Sequence, residues 1–374
     1  MEAQESTLNP EIQGIWNRFL RYKENVPGLT WVLILAGISY GVFGVLLAYW
    51  GNPANTGICI SCFLEGTVGA LGLHGNERMM YIRPEIIGFI LGAFALAVST
   101  RNFSVRGGSS PVINFVMGFL MIAGSAVFMG CPIKLIYRFT AGDLTAMGGV
   151  AGLLAGIWVG ITFMKEGTYM GDVTDQPKIN GLIIPAFAGM LLLFIFLRPS
   201  YINFSGEGPG SAHAPMWISL GVGLFLGTLS QQSRFCIVGS LRNYMLARDR
   251  SLMTGLILLV IFATVTNMLL GLFHLGMYDQ PGSHLDHIWS FGGMFLTGFS
   301  AVIVGGCPLR QLILAGEGNA DSGITTLGML TAAAMVHNWN IVSSTSGATF
   351  NGKITVMLGI ALCFLIALVH KQVD

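Results

Sequence analysis

Charge is scarce in this sequence. Asp, Glu, Lys and Arg make up 10% of its 374 residues, where a soluble chain carries about 25%. A pair of water-soluble domains, which the length would allow, is therefore excluded. The net charge is +1 and no basic block stands out, so no nucleic-acid partner is expected. No Walker sequence, Rossmann glycine fingerprint or metal-binding histidine pattern occurs. ATP hydrolysis within the chain, a resident cofactor and a metal centre are not expected, and the chain does not read as an enzyme. The start also lacks a signal peptide's order of charge, short apolar core and small-residue cleavage site. Residues 1–28 are expected to be a retained cytoplasmic segment, with an interfacial helix bearing Ile12, Ile15, Trp16, Phe19 and Leu20. Six cysteines in a chain this apolar do not make a secreted disulfide framework, which belongs to short core-poor chains.

What the sequence has is hydrophobicity. Apolar residues reach 53%, with 51 glycines and a mean hydropathy of +0.68. Apolar runs near 20 residues, separated by short polar breaks, are what a bilayer demands of helices, and small residues let such helices pack closely. The reading is an all-α polytopic membrane protein. Ten spans are expected: Leu29–Trp50, Pro84–Thr100, Pro111–Met129, Leu144–Met164 and Gly181–Leu197, then Pro215–Leu229, Leu252–His274, Ile288–Gly305, Ser322–Val342 and Lys353–Val369. The domains are then a first membrane repeat (29–197), an external linker rich in Gly, Ser and Pro (198–214) and a second membrane repeat (215–374). Five spans per half is an odd number, so the second half enters from the opposite side, the plan of inverted-topology repeats. With both termini cytoplasmic, 13 of the 19 Lys and Arg residues lie inside and 6 outside, the bias that orientation requires.

A short motif recurs in the two halves. Gly130-Cys131-Pro132 follows Phe119-Leu120 and Ser125-Ala126-Val127, and Gly306-Cys307-Pro308 follows Phe295-Leu296 and Ser300-Ala301-Val302. Lys134 and Arg310 follow their cysteines at the same offset, and an acid comes later in each, Asp143 and Glu317. Proline is welcome only in a helix's first turn, so the preceding cysteine falls near an N-cap. There, free N–H groups and the helix dipole favour negative charge, and the basic residue adds to that potential. Each copy reads as a resting place for a small anion, with Asp143 and Glu317 as partners for the cations when no anion is bound. Asp143 equally suits the N-cap of the span starting at Leu144, and cysteine is also a small packing residue.

Two further cysteine segments accompany these. Cys59 precedes Cys131 by 72 positions and Cys236 precedes Cys307 by 71. Ser230–Ser240, with Arg234 and Cys236, is a polar interruption of a kind tolerated at membrane depth only inside protein or along a wet cavity. Gly57–Cys62 holds a Cys-x-x-Cys, Cys59 and Cys62, shared by redox and zinc sites. Zinc is not expected, because no second Cys or His pair has suitable spacing. Cys363, mid-span, reads as packing. His213, His274, His284 and His287 fall in outer loops, with solvated or structural roles. His337 lies inside a span, where an ionisable residue is a functional candidate and a packing histidine fits equally.

The doubled cysteine segments resemble the YeeE/YedE family of inner-membrane sulfur-compound transporters, and among them the YedE branch identified with selenium. The resemblance rests on Asn55–Phe63, Tyr81–Gly88, Arg106–Pro111, Gly208–Pro215 and, longest, Gly305–Asn319. It implies an hourglass-like helical protein with some helices entering only part-way. It also implies that thiols along a central path, here Cys131, Cys307, Cys236 and Cys59 or its neighbour Cys62, pass the cargo on. Lys134, Arg310 and Arg234 would stabilise the anion. A TusA/SirA-like cytoplasmic carrier is the implied protein partner, and selenite or thiosulfate the implied cargo. The residues leave an alternative open, a membrane thiol-disulfide oxidoreductase using Cys59/Cys62, as well as a scaffold for a selenium-handling protein.

Overall fold

An apolar chain in a bilayer can satisfy its own backbone only by coiling into helices or closing a barrel. In the computed structural model, which describes residues 29–168 and 171–370, the chain takes the first course. The expected cytoplasmic segment 1–28 lies outside the described residues. Among the described residues fourteen α-helices follow one another: α1 (Leu29–Tyr49), α2 (Ile60–Ala70), α3 (Pro84–Ser99), α4 (Pro111–Phe128), α5 (Pro132–Thr140), α6 (Ala146–Lys165), α7 (Lys178–Leu197), α8 (Met216–Ser233), α9 (Ile237–Ala247), α10 (Ser251–Leu269), α11 (His287–Ile303), α12 (Pro308–Gly316), α13 (Ala320–Asn338) and α14 (Phe350–Val369). A two-residue ladder, β1 (Arg106–Gly107) antiparallel to β2 (Thr174–Asp175), ties two loops together.

Among the described residues seven stretches are long and apolar enough to cross a membrane, so by helix composition this is a multi-pass membrane protein. They are α1, α4 run on with α5, α6, α7, α10, α11 run on with α12, and α14. Every expected span meets a helix, but α3, α8 and α13 fall short of that measure. α3 has 16 residues, about 24 Å at the helical rise, less than the ~30 Å hydrocarbon core. α8 ends on Ser230-Gln231-Gln232-Ser233, and α13 carries Asp321, Thr325, Thr326 and His337. The span expected to reach His274 stops at Leu269, just before Gly271 turns the chain at φ 69°. The expected breaks are themselves partly helical, holding α2, α5, α9 and α12.

Helix lengths run 21, 11, 16, 18, 9, 20 and 20 residues over α1–α7, and 18, 11, 19, 17, 9, 19 and 20 over α8–α14. The long helices pack in pairs across the halves: α1 along α10, α3 along α8, α4 along α13, and α6 along α11. Glycine makes these approaches possible. A Cβ on Gly37 would run into Gly255 O, on Gly92 into Leu224 O, on Gly152 into Phe291 O, and on Gly328 into Phe115 O. Backbone thus lies against backbone in all four pairs, the mode of association that operates where no hydrophobic effect acts between helices. Gly152→Val and Gly328→Val should each cost about 1–3 kcal/mol through overpacking, read as a lower thermal midpoint of the detergent-purified protein. Gly221→Ala, on α8 with open space around it, should leave the midpoint unchanged.

Candidate functional site

Each Gly-Cys-Pro breaks a long helix and restarts it. α4 ends at Phe128, Met129 turns left-handed at φ 64°, and α5 begins with Cys131 as its N-cap and Pro132 in its first turn. α11 ends at Ile303, Gly305 takes the positive φ (83°), and α12 begins with Cys307 as N-cap and Pro308 in its first turn. The glycine of the motif is there for the cation that follows. A Cβ on Gly130 would sit 2.5 Å from Lys134 Cδ, and one on Gly306 2.8 Å from Arg310 Cγ. Lys134 and Arg310 therefore fold back over the first turn of their own helices.

The other two short helices bring their N-termini to the same places. Cys59 caps α2 and Cys236 caps α9. Ile60 N–H donates to Cys131 Sγ at 3.2 Å, so the starts of α2 and α5 face each other. In the second half Cys307 N–H donates to Cys236 Sγ at 3.4 Å, and Gly239 N–H to the same sulfur at 3.3 Å. The Cys236 and Cys307 sulfurs are 3.4 Å apart. All four capping cysteines are buried and unbridged. The fold has gathered the cysteines into two stations, Cys59/Cys131 and Cys236/Cys307, each made of two helix N-termini, where backbone donors receive negative charge.

Cys62 stands apart in being half-buried. Its sulfur lies 2.9 Å from Cys59 Sγ and 3.8 Å from Lys134 Nζ. It opens into a cavity of about 410 Å³ whose wall includes Glu65, Asn76, Arg78, Arg83, Lys134 and His337. No carboxylate lies within ion-pair distance of Lys134 among the described residues. The partner proposed for it from sequence, Asp143, is committed elsewhere: Arg138 Nε reaches Asp143 Oδ2 at 2.7 Å in full burial. Lys134 and Arg138 are one turn apart on α5, and only the second, which also bonds Phe128 O (3.0 Å), comes within reach of the loop that carries Asp143. Asp143 also accepts from Thr145 N–H at 2.9 Å, at the start of α6. In the second half Arg310 Nη1 does meet Glu317 Oε1, at 3.0 Å, and bonds Ser230 O at 3.4 Å. Tyr40 and Tyr137 lie between the stations, with Tyr137 OH donating to Tyr40 O (2.7 Å) and Tyr40 OH 2.6 Å from Ser230 Oγ.

Arg234 closes α8 in the left-handed conformation, φ 55°, two residues before Cys236, and is exposed. Cys363 is buried on α14 against Ser300 Oγ (3.3 Å) and Met117 Sδ (3.9 Å), a packing position. His284 is held by Val127 O (2.9 Å), and His213 stacks on Tyr81 with ring centroids 4.1 Å apart. His337 is in the cavity wall, 3.0 Å from Glu65. Glu65 and Arg83 escaped the sequence reading as site residues. Glu65 is the only ionisable group besides the two thiols between Asn55 and Leu73, and that isolation in an apolar stretch was the available signal. Arg83 is buried between the Phe63 and Tyr81 rings, at 5.0 and 5.1 Å, and donates to Pro209 O and Ala212 O at 2.8 and 3.1 Å. Nothing in its own segment announces those distant carbonyls.

The model of a protein family described as Sulphur transport matches residues 232–371. The matched stretch contains Cys236, Cys307, Arg310 and Glu317, the whole second station. No curated protein matches the chain.

Removing one partner of a buried ion pair strands the other. Arg138→Met should destabilise the protein by about 3–5 kcal/mol, measured by chemical or thermal unfolding in detergent. Glu317→Gln, whose pair is open to 11% and 20% at its two side chains, should cost less.

Proposed function

We propose that the chain imports a small sulfur- or selenium-containing anion, such as thiosulfate or selenite, across the cytoplasmic membrane by passing it between two thiol stations. The observation that carries this is the doubling of one arrangement: two short helices meeting at their cysteine N-caps, with a cation folded over the glycine of Gly-Cys-Pro. Sulfur and selenium are polarisable and suit thiol contacts, while N–H groups and a Lys or Arg suit an anion's charge. The Sulphur transport match over 232–371 supports the cargo class. Selenium rather than sulfur rests on the resemblance to the YedE branch alone.

On this reading the two halves are inverted repeats. The recurrence of helix lengths supports it, as does the packing: exchanging each helix for the one seven places on turns the pair α1/α10 into α8/α3, and α4/α13 into α11/α6. The short helices α2, α5, α9 and α12 are then part-way elements, and the Lys and Arg count puts the Cys59/Cys131 station outside and the Cys236/Cys307 station inside. A cytoplasmic sulfur carrier of the TusA/SirA type would receive the cargo.

A second reading, a thiol-disulfide oxidoreductase, has one observation in its favour, the 2.9 Å approach of Cys59 and Cys62. It requires both thiols to give up two protons and two electrons to an acceptor such as a quinone. It gives no role to the Cys236/Cys307 station.

Uptake of labelled thiosulfate and selenite into proteoliposomes separates the two. Cys131→Ser and Cys307→Ser should each lower the rate at least about tenfold, equivalent to roughly 1.4 kcal/mol of barrier, with the protein still folded by size exclusion. Full uptake by the double variant would sink the relay. Loss of uptake only with Cys59→Ser or Cys62→Ser would favour the redox reading.

A further inference from the structure

The cavity at Cys62 holds two buried ionisable side chains that the thiol stations leave unused. Glu65 lies one turn beyond Cys62 on α2, and His337 in the last turn of α13. His337 Nε2 and Glu65 Oε2 are 3.0 Å apart, with both side chains 6% exposed. Their neighbours orient the contact. Asn76 Oδ1 accepts from Arg78 N–H at 3.2 Å, which turns the amide nitrogen toward His337 Nδ1, 3.1 Å away. A ring nitrogen that accepts from an amide carries no proton. In that arrangement His337 presents its Nε2 side to Glu65 Oε2. His74 stacks on His337 with centroids 4.4 Å apart. It accepts from Asn76 N–H at 3.2 Å and donates to Glu65 O at 2.9 Å. Burial holds its imidazole below the ordinary value.

The remaining ionisable groups facing this pair are Cys62 from α2, Lys134 from α5, and Arg78 and Arg83 from the loop before α3. α4 and the turn after it contribute only Ala126 and Met129 to the wall. The cavity wall thus carries the Glu65 carboxylate together with three cations. A dianion entering the cavity would compete for the same cations and be repelled by that carboxylate. We propose that this cavity is a proton-linked anion site: an oxyanion of sulfur or selenium binds at Lys134 and Arg78 beside Cys62, and one proton binds at Glu65 with it. The proton goes to the carboxylate and leaves the hydrogen bonds of His337 and Asn76 in place. Linkage is reciprocal, so anion binding draws in the proton and acid strengthens anion binding. The inference rests on the transport reading and names its coupling ion.

Titration calorimetry of purified wild-type protein with sodium thiosulfate, which does not itself titrate between about pH 5 and 8, tests it in two buffers of different ionisation enthalpy. The expected result is about one proton taken up per anion, with affinity rising up to about tenfold per unit fall in pH. Glu65→Gln, which keeps an acceptor for His337, should bind thiosulfate with no proton uptake and a flat pH profile. Binding by wild-type protein without proton uptake, or the same uptake in Glu65→Gln, overturns the coupling and leaves the transport reading standing. Absence of thiosulfate binding at every pH overturns both. If Glu65→Gln does not fold, the wild-type proton count decides alone.

Discussion

A helix that starts inside an apolar protein has N–H groups in its first turn with no partner in its own coil, and lipid offers them none. Four short helices of this chain start in that situation. Each has a cysteine at its N-cap, and Cys59 and Cys236 accept from the first turns of their own helices. Ile60 N–H is met by Cys131, Cys62 N–H by Cys59, and Gly239 and Cys307 N–H by Cys236. Sulfur is a weak acceptor, so these donors are held in readiness without being strongly occupied. The same requirement that makes the breaks tolerable leaves two places where backbone donors and thiols converge. The remaining features follow from these breaks: proline to restart the helix, glycine to let a cation fold back, and backbone-to-backbone packing of long helices to hold the short ones in place.

The two stations differ in electrical surroundings. Arg310 is paired with Glu317, whereas Lys134 faces the Cys62 cavity and Asp143 is spent on Arg138. On the proposed reading the first station is therefore the more attractive to an incoming anion. The second holds its cation in check, which favours release. Affinity that falls along a route is what conduction needs, since a site that binds too well does not let go. Glu65, buried in the wall of the cavity beside the first station, adds a carboxylate there that, on the proposed coupling, a proton neutralises.

Much of this was legible in the sequence, and the physical reason is simple. Membrane helices carry their signal as length and apolarity, so the ten long helices are found within a few residues of the expected spans, except where α10 stops early. The N-cap placement of Cys131 and Cys307 follows from local chemistry, because proline admits few neighbours. Arg310 meets Glu317 one or two turns away, again a local matter. What sequence did not give is non-local. Asp143 has two cations upstream, Lys134 and Arg138, and the bond of Arg138 to Phe128 O holds the second beside it. The facing of α2 with α5 joins residues 71 positions apart, and the approach of His337 to Glu65, 272 positions away, depends on helices brought together from opposite halves.

The central claim is that a soft anion rests between paired cysteine caps at two places in one molecule. Anomalous diffraction locates selenium without reference to any assumed path, so crystals soaked in selenite and measured at the selenium edge test it most directly. The account expects anomalous density in contact with Cys131 or Cys62 beside Lys134, or with Cys307 and Cys236 beside Arg310, lost in Cys131→Ser and Cys307→Ser respectively. Density confined to the protein's outer surface, or unchanged in both variants, would contradict it.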